Sequence, residues 1–159
     1  MKIVSICALN EVVRCVKLSN ADAIISILDP ETGTDFSVGS CAKHLTLKFH
    51  DVERITHGCI APTIYHGREI LEFVDALPAD SRLLIHCTAG ISRSPAVAIG
   101  LMARNGQNAE AITDLKKLAR YALPNTRIVE IFAHLTNNRK LVADVRKQFE
   151  TSTTDEFHW

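Results

Sequence analysis

The sequence lacks an excess of charge of either sign: eighteen lysines and arginines balance eighteen aspartates and glutamates. With no global field, nothing draws the chain toward nucleic acid or a membrane surface, so neither is expected as a partner and any anion site has to be local. No apolar run is long enough to cross a bilayer. The N-terminal stretch Met1-Lys2-Ile3-Val4-Ser5-Ile6-Cys7 lacks the long apolar core of a signal peptide and reads as a first strand. The five cysteines, at 7, 15, 41, 59 and 87, contain no CxxC pair. That odd, scattered set argues against a disulfide scaffold and for a reducing compartment, with the cytoplasm the expected home. Four of the five suit small core positions. Internal repeats and low-complexity tracts are also missing. His44, His50, Asp51, His57, Cys59 and His66 fit no zinc template such as HExxH or paired CxxC, so scattered surface histidines are the expectation and no metal is implied.

What is present is a chain of 159 residues, 47% of them apolar, enough for one sizeable core. A single domain over residues 1–150 is expected, followed by a polar, frayed tail over 151–159 whose Trp159 can dock back onto the body. Ile3 to Cys7 and Ala23 to Leu28 read as apolar strands, with Asp29-Pro30 ending the second. Between them Asn10 is placed to cap a helix that turns Val12, Val13 and Val16 to one face. Residues 30–41 read as loop, Leu45 to Phe49 as an alternating strand and His50 to Ala61 as loop. Pro62 suits the first turn of a helix carrying Ile64, Ile70, Leu71, Phe73, Val74 and Leu77, closed by Pro78. Leu83-Leu84-Ile85 is a continuous apolar run, as in a strand covered on both faces. Helices are then expected from Pro95 to about Asn105, stopped by Gly106, and from Ala109 to Tyr121, broken by Pro124-Asn125. Two more apolar stripes follow, divided at Asn137-Asn138. This order predicts an α/β sandwich with a mostly parallel central sheet, in which ligands bind beyond the carboxyl ends of the strands.

The segment at that edge carries the chemistry. His86-Cys87-Thr88-Ala89-Gly90-Ile91-Ser92-Arg93-Ser94 runs from a buried strand into a helix and holds no acidic residue. A loop that feeds a helix N-terminus turns backbone N–H groups inward and makes an anion cradle. Gly90 relieves the backbone, and Arg93 adds a planar fork matched to phosphate oxygens. At the base of the cradle, the same groups favour Cys87 as thiolate and make it a nucleophile at neutral pH. Ser94 can donate to that thiolate, and His86 can order the loop from its other side.

These residues match the signature His-Cys-x5-Arg-Ser/Thr, and the fuller run through Pro95 resembles the small dual-specificity members of the protein tyrosine phosphatase superfamily. The resemblance covers residues 43–132 or so, and includes Pro124-Asn125, where such enzymes carry a pair that braces the active-site loop. It implies a phosphotyrosine protein phosphatase-like sandwich and a thiophosphate enzyme intermediate. It further implies that Thr88, Ala89, Gly90, Ile91, Ser92 and Arg93 hold the substrate phosphate, that Asn125 supports the loop and that no cofactor is needed.

The leaving oxygen needs a proton, and the resemblance implies a loop aspartate upstream of the cysteine. Asp51, just after a strand, fits; Glu53 and Asp29 compete, though Asp29 sits in an Asp-Pro turn. The variable loop positions Thr88, Ala89, Ile91 and Ser92 include no lysine, which favours a phosphorylated protein or a small phosphate monoester over an inositol lipid. No aromatic phosphotyrosine-recognition loop is recognisable. The alternative from another class is a phosphate-reading binding module of the same fold without turnover.

Overall fold

The computed structural model describes residues 1–33 and 43–149. Among these, four strands form one sheet: β1 (Lys2–Ala8), β2 (Ala23–Leu28), β3 (Lys43–Lys48) and β4 (Arg82–Cys87). Their order is β1-β4-β2-β3, with every pairing parallel. Six α-helices accompany them: α1 (Val12–Ser19), α2 (Ile64–Asp75), α3 (Arg93–Met102), α4 (Asn108–Leu118), α5 (Thr126–Leu135) and α6 (Leu141–Phe149). The expected α/β class with a parallel central sheet is what the chain forms. Cys41 and the tail over 151–159, with Trp159, lie outside the described residues.

All six residues of β2 are buried, as a central strand covered on both faces requires. On one face Ile25, Ile27, Leu83 and Ile85 join the main core with α2, α3 and α5. On the other, Ile24 and Leu84 meet Cys7 and Val12, with Cys15 and Val16 of α1 against them. Helix α3 is buried from Arg93 to Leu101. A Cβ on its Gly100 would stand 2.3 Å from the Phe132 ring, so only glycine lets α5 come this close.

Several helix ends differ from the sequence reading. Asn10 caps nothing: it lies in a 3-10 turn, Leu9–Glu11, and α1 starts at Val12 with Glu11 at its N-cap. Only Val12 of α1 is buried, and Val13 stays exposed. Pro62 precedes α2, and Thr63 is its N-cap, with the Thr63 N–H donating to His66 Nδ1. Helix α3 begins at Arg93, two residues before Pro95. Proline is accommodated there because the first turn has no intrahelical acceptor for its N–H groups. Helices α3 and α4 also stop at Met102 and Leu118, short of Asn105 and Tyr121.

The topology positions the site. Parallel strands end on one edge, and β4, β2 and β3 are neighbours there. In register, Ser26 faces His86 and Leu28 faces Lys48. The segments that follow these strands therefore emerge side by side, carrying Cys87, Asp29 and Asp51. No described helix is long and apolar enough to cross a membrane.

Candidate active site

The loop leaves β4 at Cys87 and re-enters regular structure at Arg93, with Ser92 as the N-cap of α3. Gly90 takes φ +72, and a Cβ there would lie 2.7 Å from the Cys7 carbonyl carbon and 2.8 Å from the Ala8 nitrogen. Both the left-handed backbone and the contact with β1 demand glycine. The turn this makes brings the Gly90 N–H to 3.2 Å from Cys87 Sγ. Ser94 Oγ lies 3.2 Å from the same sulfur. The buried Cys87 sulfur thus has a backbone donor on one side and a hydroxyl on the other. Cys7, on the neighbouring strand, differs: burial first, and then Cys15, push its thiol up and keep it protonated.

Arg93 is 3% exposed and held on three sides. Its Nη1 donates to Asp29 Oδ1 at 2.9 Å and to the Phe49 carbonyl at 2.8 Å, and its Nη2 donates to Thr88 Oγ1 at 3.0 Å. Thr88 Oγ1 in turn donates to Asp29 Oδ2 at 3.2 Å. The guanidinium Nε is buried and has no hydrogen-bond partner among the described residues. A buried donor of that kind is costly unless something accepts from it.

The three carboxylates weighed for the acid role have three different positions. Asp51 is exposed and joins the loop: Ser92 Oγ and Asn125 Nδ2 each donate to its Oδ1 at 2.8 Å. Glu53 turns away and accepts the Thr126 N–H at the start of α5. Asp29 is engaged with Arg93. Asn125 braces the assembly: its N–H donates to the Ser92 carbonyl and its Oδ1 caps α5 by accepting from Ile128. Leu123 N–H ties the Ile91 carbonyl at 2.9 Å. Ala89 is exposed at the rim. Behind the loop, His86 is fully buried and its Nε2 lies 2.6 Å from Ser26 Oγ.

No family model and no curated protein matches the sequence. Solved structures do match. DUSP15 superposes with a TM-score of 0.65 at 17% identity, covering 94% of this chain and 96% of that one. PTPMT1 in complex with PI(5)P gives 0.59 at 19%, over 87% and 90%. The human tyrosine phosphatase-like serine/threonine/tyrosine-interacting protein gives 0.59 at 18%, over 86% and 89%. The chain has the fold of the small dual-specificity phosphatases.

Within this phosphatase fold, the residues brought together are Cys87, Gly90, Ser92, Arg93, Ser94, Asp51 and Asn125, all singled out from the sequence. Two contributions were not read there. Asp29 was weighed only as an acid and is the partner of Arg93; its position after a strand was the available signal. Ser26, a hydroxyl inside an otherwise aliphatic strand, carried a signal of its own. The scattered histidines have local partners: His50 meets Glu31 and the Ile60 N–H, and His66 meets Thr63. Among the described residues, no cluster of three or more His, Cys, Asp or Glu is arranged to hold a metal ion.

Proposed function

We propose that this protein is a cysteine-dependent phosphomonoesterase acting through a thiophosphate intermediate. The observation that carries the reading is the buried Arg93, its Nε donor without an acceptor among the described residues, on the same short loop as a cysteine whose sulfur receives the Gly90 N–H. In the first step the Cys87 thiolate attacks phosphorus, the P–S bond forms and the bond to the leaving oxygen breaks. Arg93 and loop N–H groups hold the equatorial oxygens. Asp51 protonates the leaving oxygen; both of its donors go to Oδ1, so Oδ2 is the oxygen suited to carry that proton. In the second step water attacks phosphorus, the P–S bond breaks and Asp51 takes the water proton, which releases inorganic phosphate. Ser94 hydrogen-bonds the departing sulfur.

The substrate class this reading favours is phosphotyrosine, phosphoserine or phosphothreonine in proteins, because no loop position adds a lysine for further phosphates. PTPMT1 was solved with a phosphoinositide, so an inositol lipid is the rival to test. Another neighbour is named phosphatase-like and interacting, which keeps a phosphate-reading module as the second function.

Hydrolysis of an aryl phosphate separates the two. Turnover by the wild type, lost in Cys87→Ser with folding and phosphate binding retained, supports the enzyme. Binding without turnover in the wild type would establish the module instead. A Cys87→Ser trap against phosphopeptides and phosphoinositide vesicles then ranks the substrate classes.

A further inference from the structure

Ser26 is the polar residue of a strand that otherwise reads Ala-Ile-Ile-x-Ile-Leu, and it is fully buried. A hydroxyl there is costly unless bonded. It is bonded twice: Ser26 Oγ lies 2.6 Å from His86 Nε2 and 2.7 Å from His44 Nε2. The register explains the reach. On β2, Ser26 sits directly opposite His86 of β4 and Thr46 of β3, with His44 on the diagonal, which is within range for a long side chain. Thr46 Oγ1 is a further neighbour of His44 Nε2, at 3.4 Å. A continuous polar chain therefore crosses three strands, from the exposed edge at His44 to the residue that precedes Cys87.

A hydroxyl has one proton to give. Ser26 can donate to only one of the two imidazoles, so the two facing nitrogens cannot both be bare. Its oxygen could accept from both, but the two rings are its hydrogen-bond partners among the described residues, so that arrangement would bury the hydroxyl proton unbonded, at a cost. A His44 that donates therefore favours a His86 that accepts. Burial, opposed by a hydrogen bond with the Cys87 backbone and reinforced by His44, lowers the His86 pKa to about 4, which keeps this ring neutral with a single N–H to place.

We propose that His44, acting through Ser26, is a positioning residue of the catalytic loop: it fixes which ring nitrogen of His86 carries the proton, and so sets the reactivity of Cys87. When His44 Nε2 donates to Ser26, the hydroxyl donates to His86 Nε2, and the ring proton sits on Nδ1. His86 then bonds the Cys87 backbone as a donor, the polarity that supports negative charge at the base of the cradle. Without His44 the hydroxyl can turn, and His86 is free to take the other tautomer.

The proposal rests on the reading of Cys87 as an activated thiol, and one experiment tests the two separately. Iodoacetate alkylation of Cys87 is timed at pH 7 by mass spectrometry in the wild type, His44→Phe, His44→Gln and Ser26→Ala, while long-range 1H–15N spectra report the ring tautomers. His44→Phe is expected to slow labelling about tenfold, the size of one lost hydrogen bond, and to mix the His86 tautomers. His44→Gln, which keeps an N–H donor, should restore both. Ser26→Ala combined with His44→Phe should do no more than either alone. Because His44 lies at an exposed edge, its variants keep the fold and remain decisive if Ser26→Ala does not. Wild-type labelling and an unchanged His86 spectrum in His44→Phe would overturn the proposal. Slow labelling of the wild type itself, with a single His86 tautomer that still depends on His44, would overturn the phosphatase reading while leaving the relay intact.

Discussion

At the residue scale the site is a competition between carboxylates for three jobs. Asp29 Oδ1 accepts from Arg93 Nη1; on the proposed function it orients the guanidinium rather than supplying the proton, so Asp29→Asn keeps an acceptor and removes the charge that steers Arg93. The expected result is a fall of about tenfold in kcat/KM for an aryl phosphate, with equal loss across leaving groups. Asp51→Asn should behave differently. A poor leaving group such as a tyrosyl oxygen needs its proton, so hydrolysis should slow by about 10²–10⁴-fold. An ester of a very acidic phenol should slow far less. Glu53→Gln, whose carboxylate serves the α5 N-terminus, should show no leaving-group dependence; if it does and Asp51→Asn does not, the acid is Glu53. Cys87, Arg93 and Ser94 stood out because a short motif keeps their offsets fixed along the chain, whereas Asp51 was read from its loop after a strand and Asn125 from the Pro124-Asn125 pair. The work of Asp29 and Ser26 was not legible, because it depends on which strands lie side by side, and sequence periodicity carries no strand order.

At the element scale, the strands read clearly because continuous apolar runs such as Ala23 to Leu28 have few alternatives, and the mostly parallel sheet followed from the helices expected between the first and second strands and between the third and fourth. Helix ends were less legible. Asn10 is a good capping residue by type, yet the chain first makes a 3-10 turn and bonds Leu9 N–H to the Thr88 carbonyl, so tertiary contact displaces the local preference. Asn125 shows the reverse, a cap whose second function is tertiary. Its Oδ1 holds the start of α5 while its Nδ2 holds Asp51. Asn125→Ala is expected to lose about 1 kcal/mol from the cap, read as a lower urea midpoint with unchanged slope. It should also lower kcat, chiefly for poor leaving groups, because Asp51 loses a donor. Asn125→Asp keeps a capping oxygen but not the amide, so stability should recover while kcat stays low. Equal recovery of both would mean that the brace acts only through the helix.

At the scale of the whole molecule, the polar chain behind the Cys87 loop makes acid stability a property of the sheet centre. His86 is fully buried with its pKa lowered to about 4, from an ordinary 6.5, chiefly by burial. The sign follows from proton counting. As pH falls below 6.5 the unfolded chain binds a proton at His86 and the folded one does not, so folding loses stability. The loss continues until pH passes about 4, where the folded state binds the proton too, and it totals roughly 3 kcal/mol. His44 and His66 are shifted in the same direction by burial, so they add to the slope. This differs from acid unfolding driven by paired carboxylates, where the folded pKa is depressed below the unfolded value of an acid and the loss comes at lower pH. Urea unfolding between pH 7 and 4.5 should therefore show stability falling steadily from pH 6.5, well above the carboxylate range. The His86 ring signal should stay that of a neutral imidazole down to about pH 5 and begin to titrate only below it. Stability flat between pH 6.5 and 5, or a His86 signal titrating near 6.5, would mean that the relay is open to water and does not hold this ring neutral.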